Sequence, residues 1–410
     1  MSKAFCSLPW IHLATHPHGG ASLCCQSEME KGTSFAVNED GHDPITLNER
    51  GVSDLINSKR FKEVRLSMLK GERHPACSPC WDREDKGLES KRIFDMKRFK
   101  LTPSEAQAMT ASDGSIKPNI KFLELRLGNT CNIKCVTCNP NSSIAFSKDH
   151  EKMIKDPELN FLRDYSWVKP NMSDWTEREE FWVDLNENAP ELREIYINGG
   201  EPMLIKKHME FLTKLVQDGR SKNISLTYSI NMTRLIDDFK VLWPQFKSVH
   251  IASSIDDWDN KNFYIRYPSS WQQVTSNFQK LLDWGLKPHV LQTISVLNFM
   301  SLGEFHKNLQ GMFPGTVISY NDVYDPPWFS AKILKPEWRR EIIASLKDQL
   351  PDRLLNQLKS MYDTDEYFEK DFINFKLQMK AFDTLRNTNV KEYFPELEAF
   401  LNSKNETLGV

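Results

Sequence analysis

Three cysteines within eight residues, Cys131, Cys135 and Cys138, form a C-x3-C-x2-C triplet in the stretch LRLGNTCNIKCVTCNP. Thiolates at this spacing can take three irons of a cubane iron–sulfur cluster and leave the fourth iron open to a small molecule. Structural clusters and structural zinc sites ask for four ligands, so a local set of three implies an open position. A three-cysteine zinc site completed by a distant histidine, or three unrelated buried thiols, are the blander readings of the same residues.

Two further groups of residues could do chemistry. The run Tyr196-Ile197-Asn198 ends in Gly199-Gly200-Glu201-Pro202. Paired glycines let a backbone come close to a ligand without Cβ obstruction, and Glu201 is presented at the C-terminal end of a strand pattern, where barrel active sites lie. The second group is N-terminal: Cys6, the adjacent Cys24 and Cys25, then Cys77 and Cys80. Cys6, one of Cys24 and Cys25, Cys77 and Cys80 make four thiolates, enough to saturate one metal centre. An iron–sulfur cluster and a zinc ion are both satisfied by that set. His12, His16, His18 and His74 lie nearby in sequence and any could replace a cysteine.

The triplet, followed at the end of the next strand by Gly-Gly-Glu-Pro, resembles the radical S-adenosylmethionine (SAM) enzymes. That resemblance implies a partial (β/α)6 barrel holding a 4Fe–4S cluster at Cys131, Cys135 and Cys138, with S-adenosyl-L-methionine on the unique iron. One-electron reduction of the sulfonium would give methionine and a 5′-deoxyadenosyl radical that abstracts hydrogen from a substrate. It also implies that Gly199, Gly200 and Glu201 hold the amino group of SAM. Ser254 and Arg266 are implied SAM contacts, the arginine because its fork offers two parallel donors to a carboxylate. Asn231 and Asp256 are candidates for SAM or substrate contact. The residue before the third cysteine, aromatic in the family, is Thr137, so adenine stacking must come from elsewhere. The N-terminal cysteines are similar to the auxiliary-cluster modules called SPASM and twitch, which implies a second 4Fe–4S cluster, with zinc as the alternative. Those modules usually follow the barrel; here the cysteines precede it.

Composition narrows the class. The chain has 410 residues with 53 basic and 56 acidic side chains, a net charge of −3, which gives no electrostatic case for nucleic acid or a membrane surface. Forty per cent hydrophobic and 11% aromatic residues are the content of a globular protein. No apolar run reaches the ~20 residues that span a bilayer, and the opening MSKAFCSLPW has no signal-peptide pattern. We therefore expect a cytoplasmic protein, in which eight cysteines are metal ligands rather than disulfides.

The elements that must position these groups read as α/β. Apolar runs predict strands at 121–127, 194–197, 224–230, 248–254, 287–296 and 316–323, with helical patterns such as 208–217 and 271–284 between them. Residues 1–100 are expected to form the Cys-rich SPASM/twitch-like module, with helical stretches at 53–69 and 90–100. Residues 101–117 read as a linker, 118–326 as the partial barrel, and 327–410 as a helical C-terminal extension. The stretch 151–188 is expected to be helices or an insertion, and Phe368, Phe372, Phe375 and Phe382 a helix face packed on the barrel. The function expected is radical SAM chemistry on a peptide or protein, as in maturases, with a low-potential donor such as flavodoxin or ferredoxin. Dehydrogenation of a small carbohydrate or nucleotide is the alternative. A zinc-stabilised binding protein without turnover is the alternative from another class.

Overall fold

The computed structural model describes residues 4–27, 34–163, 174–323 and 325–409. The fold is mixed α/β with an eight-stranded, mostly parallel sheet. Its strands are β1 (His12–Thr15), β2 (Ala21–Ser22), β3 (Phe122–Leu127), β4 (Glu194–Gly199), β5 (Ser225–Ile230), β6 (Ser248–Ser254), β7 (His289–Ile294) and β8 (Ile318–Asp322). Each of the six expected strand runs contains one of β3 to β8, with β4 extending two residues further, to Gly199. β1 and β2 lie outside these six runs. Among the described residues, no helix is long and apolar enough to cross a membrane.

The chain divides into two compact units, Met1–Asn129 with Asn171–Tyr228 and Asp238–Val249, and Thr130–Pro170 with Ser229–Asp237 and His250–Val410. In the first, the strand order is β2-β1-β3-β4-β5, antiparallel between β2 and β1 and parallel thereafter. Leu123, Leu125, Leu127, Ile195, Ile197, Leu226 and Tyr228 alternate along these strands and are fully buried, as the two-residue period of a strand requires. Phe239 and Trp243 stack at 4.6 Å on that face, and Trp243 lies 5.3 Å from Tyr228. On the other face Arg126, Tyr196, Asn198 and Thr227 stay half-buried. That is a polar surface along the strands.

The N-terminal region is part of this unit's sheet through β1, which runs parallel to β3 in the register His12↔Phe122 and Ala14↔Glu124. Helices form at Lys59–Lys70 and Lys91–Phe99, inside the two expected helical stretches to within a residue. Residues 101–117 hold a helix, Pro103–Met109, and a bridge between Thr110 and Ile116. They are tied down by Trp10 Nε1 donating to Thr110 Oγ1 at 2.8 Å and Asn57 Nδ2 to Ile116 O at 3.0 Å.

In the second unit β6, β7 and β8 run parallel in that order. Of the stretch 151–188, residues 164–173 lie outside the described residues; before them stand the end of the helix Ile144–Met153 and the 3-10 turn Pro157–Arg163, and after them, in the first unit, the turn Trp175–Glu177 and the helix Glu179–Asn188. The helix Glu369–Arg386 buries Phe372, Phe375, Met379 and Phe382. Phe329 lies 5.9 Å from Phe375, and Phe382 meets Phe146 at 5.8 Å. Each such side chain contributes roughly 1.5–3 kcal/mol by leaving water. Phe368 stands one residue before that helix.

Arg65 organises the N-terminal residues. Fully buried, its guanidinium donates to the carbonyls of Pro9 at 2.9 Å, Gly114 at 2.7 Å, and Ile56. Burial pulls its pKa down to about 9, still above neutrality, so the charge is kept. Arg65→Met leaves three buried carbonyls without a donor and is expected to destabilise the fold by about 3–5 kcal/mol, measured by urea unfolding. A loss under about 1 kcal/mol would show that the three carbonyls find other donors.

Candidate functional site

The cysteine triplet lies in the second unit, on a loop without regular structure after β3. Its conformation is imposed from outside. Lys134 N donates to Tyr267 O at 2.6 Å and Val136 N to Ile265 O at 2.8 Å, a short ladder that pins the loop between its cysteines. Ile133 and Val136 are buried beneath it, and Ser143 Oγ donates to Ile133 O at 2.6 Å. Asn231 Nδ2 reaches Asn132 Oδ1 at 3.1 Å and Cys131 Sγ at 3.9 Å, while its Oδ1 accepts from Thr233 N and Oγ1.

Burial pushes the Cys135 and Cys138 thiols upward, and Cys138 is raised further by the charges of Cys135 and Cys131. The three sulfurs therefore stand in one another's field. Arg266, which lies in the field of Cys135 and Cys131, pairs with the buried Asp256 through Nη1 and Oδ2 at 2.9 Å and is itself largely covered. Asp256 Oδ1 accepts from Thr293 N at 2.9 Å, so both of its oxygens are committed inside the protein. Arg266 Nε has no hydrogen-bond partner among the described residues.

The donor set fits an iron–sulfur cluster: three thiols, an amide N–H on one sulfur and a guanidinium nearby, the features that set cluster potentials. Among the described residues no group of three His, Cys, Asp or Glu side chains could hold a single metal ion as placed. A cubane differs from a single ion in taking one thiolate per iron.

Gly199, Gly200 and Glu201 lie in the first unit, at the end of β4. Gly199 has φ +123°, and a Cβ there would stand 2.4 Å from Leu127 N and 2.9 Å from Leu127 O on β3. Gly200 N donates to Gly128 O at 3.1 Å. Glu201 is buried and accepts from Met203 N at 3.1 Å, capping the turn Pro202–Leu204. Ser254 ends β6, half-buried and opposite Leu291.

The N-terminal cysteines all lie in the first unit. Cys77 and Cys80 flank the start of the helix Ser78–Asp85, and Ala4, Cys80 and Trp81 form an apolar cluster with Cys77 against it. Burial raises Cys6 to about 12 and raises Cys24 and Cys77 strongly; Cys6 also feels Cys80, Cys24 feels Cys25, Cys77 and Cys6, and Cys77 feels Cys6 and Cys80. Cys25 is different. Burial, the charge of Glu124 and a hydrogen bond to it raise Cys25 to about 12, with no other sulfur among its chief influences. Consecutive residues thus send their thiols two ways, Cys24 toward Cys6 and Cys77, and Cys25 toward Glu124 on β3.

The histidines near these cysteines have other partners. His12 Nε2 lies 3.0 Å from Glu124 Oε2 and its Nδ1 3.1 Å from Leu23 O. His16 Nε2 meets Ser22 Oγ at 2.8 Å, and His74 Nδ1 accepts from Ala76 N at 3.2 Å. His18 rests edge-on against Phe35 at 5.6 Å. Sequence reasoning missed Arg386, whose Nη2 donates to Lys134 O at 2.9 Å from 252 residues away. No spacing or motif marks it.

Residues 125–310 match the family model described as Radical SAM superfamily. No curated protein matches the chain. Similar solved structures include a histidine-tagged anSMEcpe with bound AdoMet, at 17% identity over 59% of this chain and 60% of that one, with TM-score 0.42. Native anSMEcpe with bound AdoMet and Cp18Cys peptide is 16% identical over 59% and 62%, with TM-score 0.39. Streptococcus suis SuiB bound to precursor peptide SuiA is 12% identical over 82% and 68%, with TM-score 0.33. The chain spans about three fifths of the length of the anSMEcpe chains it matches.

Gly199→Ala places a methyl group into the β3 backbone at a positive φ, and is expected to destabilise the protein by about 2–4 kcal/mol. Urea unfolding measures it, and a stability equal to the parent's would show that β3 and β4 can part at that point.

Proposed function

We propose that this protein is a radical SAM superfamily enzyme, as the match of residues 125–310 supports, that Cys131, Cys135 and Cys138 hold the 4Fe–4S cluster, and that a peptide or protein is the substrate. When bound, the cluster supplies the electron that cleaves S-adenosylmethionine to methionine and the hydrogen-abstracting 5′-deoxyadenosyl radical. The observation that carries the reading is the pinned loop, with its three thiols in one another's field and Asn231 on the sulfur of Cys131.

The chain's own residues then divide the work of binding. Gly199, whose missing side chain lets β4 close onto the β3 backbone, and Gly200 present their main chain at the strand end, and Glu201 is the carboxylate there for the amino group of SAM. Ser254 and Asn231 are polar contacts at the ends of β6 and β5. Arg266 is the cation for the SAM carboxylate, offering its unpaired Nε while Nη1 stays on Asp256. Residues 1–100 supply the auxiliary module. Its ligands are Cys6, Cys24, Cys77 and Cys80, supported by their mutual electrostatic influence, and Cys25 is left outside the set. An auxiliary cluster beside a substrate site can take up the electron left on an oxidised substrate, so the module suits a net two-electron modification of a peptide. Ferredoxin or flavodoxin is the class of donor required.

Anaerobically reconstituted protein is expected to be brown, with about eight iron and eight sulfide per chain if both sites take cubanes, and with SAM and dithionite to release 5′-deoxyadenosine. The Cys131/Cys135/Cys138→Ala variant should lose about half the iron and all of the 5′-deoxyadenosine. Full release from that variant would overturn the assignment, and a colourless zinc protein would end the enzyme reading. A companion pair separates the adjacent cysteines. Cys24→Ala should lose the second metal centre and Cys25→Ala should keep it, as iron, sulfide and zinc analysis will report; the reverse pattern would exchange their roles.

A further inference from the structure

The charges around the triplet do not cancel, and the surplus belongs to one side chain. Arg266 is neutralised by the buried Asp256 at 2.9 Å. Lys134, on the loop itself, pairs with Asp149 at 2.9 Å. Among the described residues, Arg386 has only that same Asp149, at 3.7 Å from its Nε, so two cations share one carboxylate and one positive charge is left over. Its side chain is 1% exposed. The guanidinium stacks 3.9 Å from the Phe382 ring, one turn back on its own helix, and 5.0 Å from Tyr267, whose carbonyl pins Lys134. Nη2 is spent on Lys134 O. Nη1 and Nε are buried with no hydrogen-bond partner among the described residues, which is costly unless something present in the working protein accepts from them.

We propose that Arg386 is a positioning residue for the metal site of Cys131, Cys135 and Cys138: it fixes the loop through Lys134 and sets a permanent positive charge beside Cys135. The proposal rests on the cluster reading above. Cys135 and Arg386 lie within each other's electrostatic influence. Three thiolates outweigh the charge of a cubane core, and its one-electron reduction by an external low-potential donor adds one more negative charge. A buried cation is little screened, so it stabilises the reduced form more than the oxidised one and raises the reduction potential. An orphan N–H is also a donor for sulfur, a second lever in the same direction. The C-terminal helix, otherwise a packing element, thereby acts on the reactive centre.

The test compares Arg386→Met, which keeps the stacked stem and drops the charge, with Arg386→Lys, which keeps the charge and drops the fork. Each is reconstituted as the full chain, and the midpoint potential of the triplet's cluster is read by EPR redox titration. That signal is identified as the one absent from the Cys131/Cys135/Cys138→Ala variant. Iron content and the thermal unfolding of the apo chain are followed alongside. The expected result is a loaded Arg386→Met cluster with a more negative potential, largely restored in Arg386→Lys. An unshifted potential in Arg386→Met, or an equal shift in both variants, overturns the proposal. Equal loss of iron from both variants also overturns it, because the side chain would then be a packing strut. A parent chain whose triplet takes up no iron overturns the cluster reading instead, and is told apart by failing before any variant is compared.

Discussion

The two backbone hydrogen bonds that join Lys134 and Val136 to Tyr267 and Ile265 are the interaction on which the site in the second unit depends. A loop carrying three thiols buries Ile133 and Val136, but two apolar side chains do not dictate one backbone conformation. Pairing its backbone with residues 265–267 supplies that conformation from a segment that is itself held firmly. Arg266 lies between the two paired carbonyls and is anchored to Asp256. The carbonyl of Asp256 accepts from Gln292 Nε2 at 2.8 Å and Asn298 Nδ2 at 2.7 Å, and its carboxylate accepts from Thr293 N. Loop, ion pair and the end of β7 are one buried polar network, satisfied nearly throughout. Such a network specifies a single arrangement, and that is what three ligands to one cluster require.

Electrostatics explains why this network carries arginines. Burial makes the thiols of Cys135 and Cys138 hard to ionise, while a coordinating metal deprotonates a thiol outright. A cluster held there would concentrate negative charge where the dielectric is low, and cations that remain charged on burial would offset it. Lysine loses its proton more readily on burial; arginine does not. The cations that act on Cys135 are Arg266, paired with Asp256, and Arg386, joined to the loop through Lys134 O, whereas Lys134, between Cys131 and Cys135, pairs with Asp149.

What could be read from the sequence was whatever repeats with a short period. Leu123, Leu125 and Leu127, or Ile195 and Ile197, announce strands because one face is apolar and the next residue is not. β1 lacks that signal: all four residues of His12–Thr15 are buried, and His12 and Thr15 are inside because Glu124 and the β3 backbone receive them. The triplet was legible because its three cysteines are local. The choice between Cys24 and Cys25 was not, since it turns on which way two neighbours point after β2. Arg386 was invisible for the opposite reason. Its helix reads as an amphipathic packing element, and its contact with Lys134 exists only once distant parts of the chain have folded together.

The N-terminal placement of the Cys-rich residues has a topological cause within the first unit. β1 runs parallel to β3, and parallel neighbours need a crossover of a dozen residues or more, since no tight turn can join them. Residues 16–121 are that crossover. They hold Cys24, Cys25, Cys77 and Cys80, along with the helices Lys59–Lys70, Ser78–Asp85 and Lys91–Phe99. The segment is therefore bound at both ends to strands of the same sheet, and Arg65 closes it across Pro9, Ile56 and Gly114. A connection fixed at both ends and at its middle can hold Cys24, Cys77 and Cys80 in a set arrangement. It also brings Cys25 to Glu124 on β3, the strand whose continuation carries Cys131.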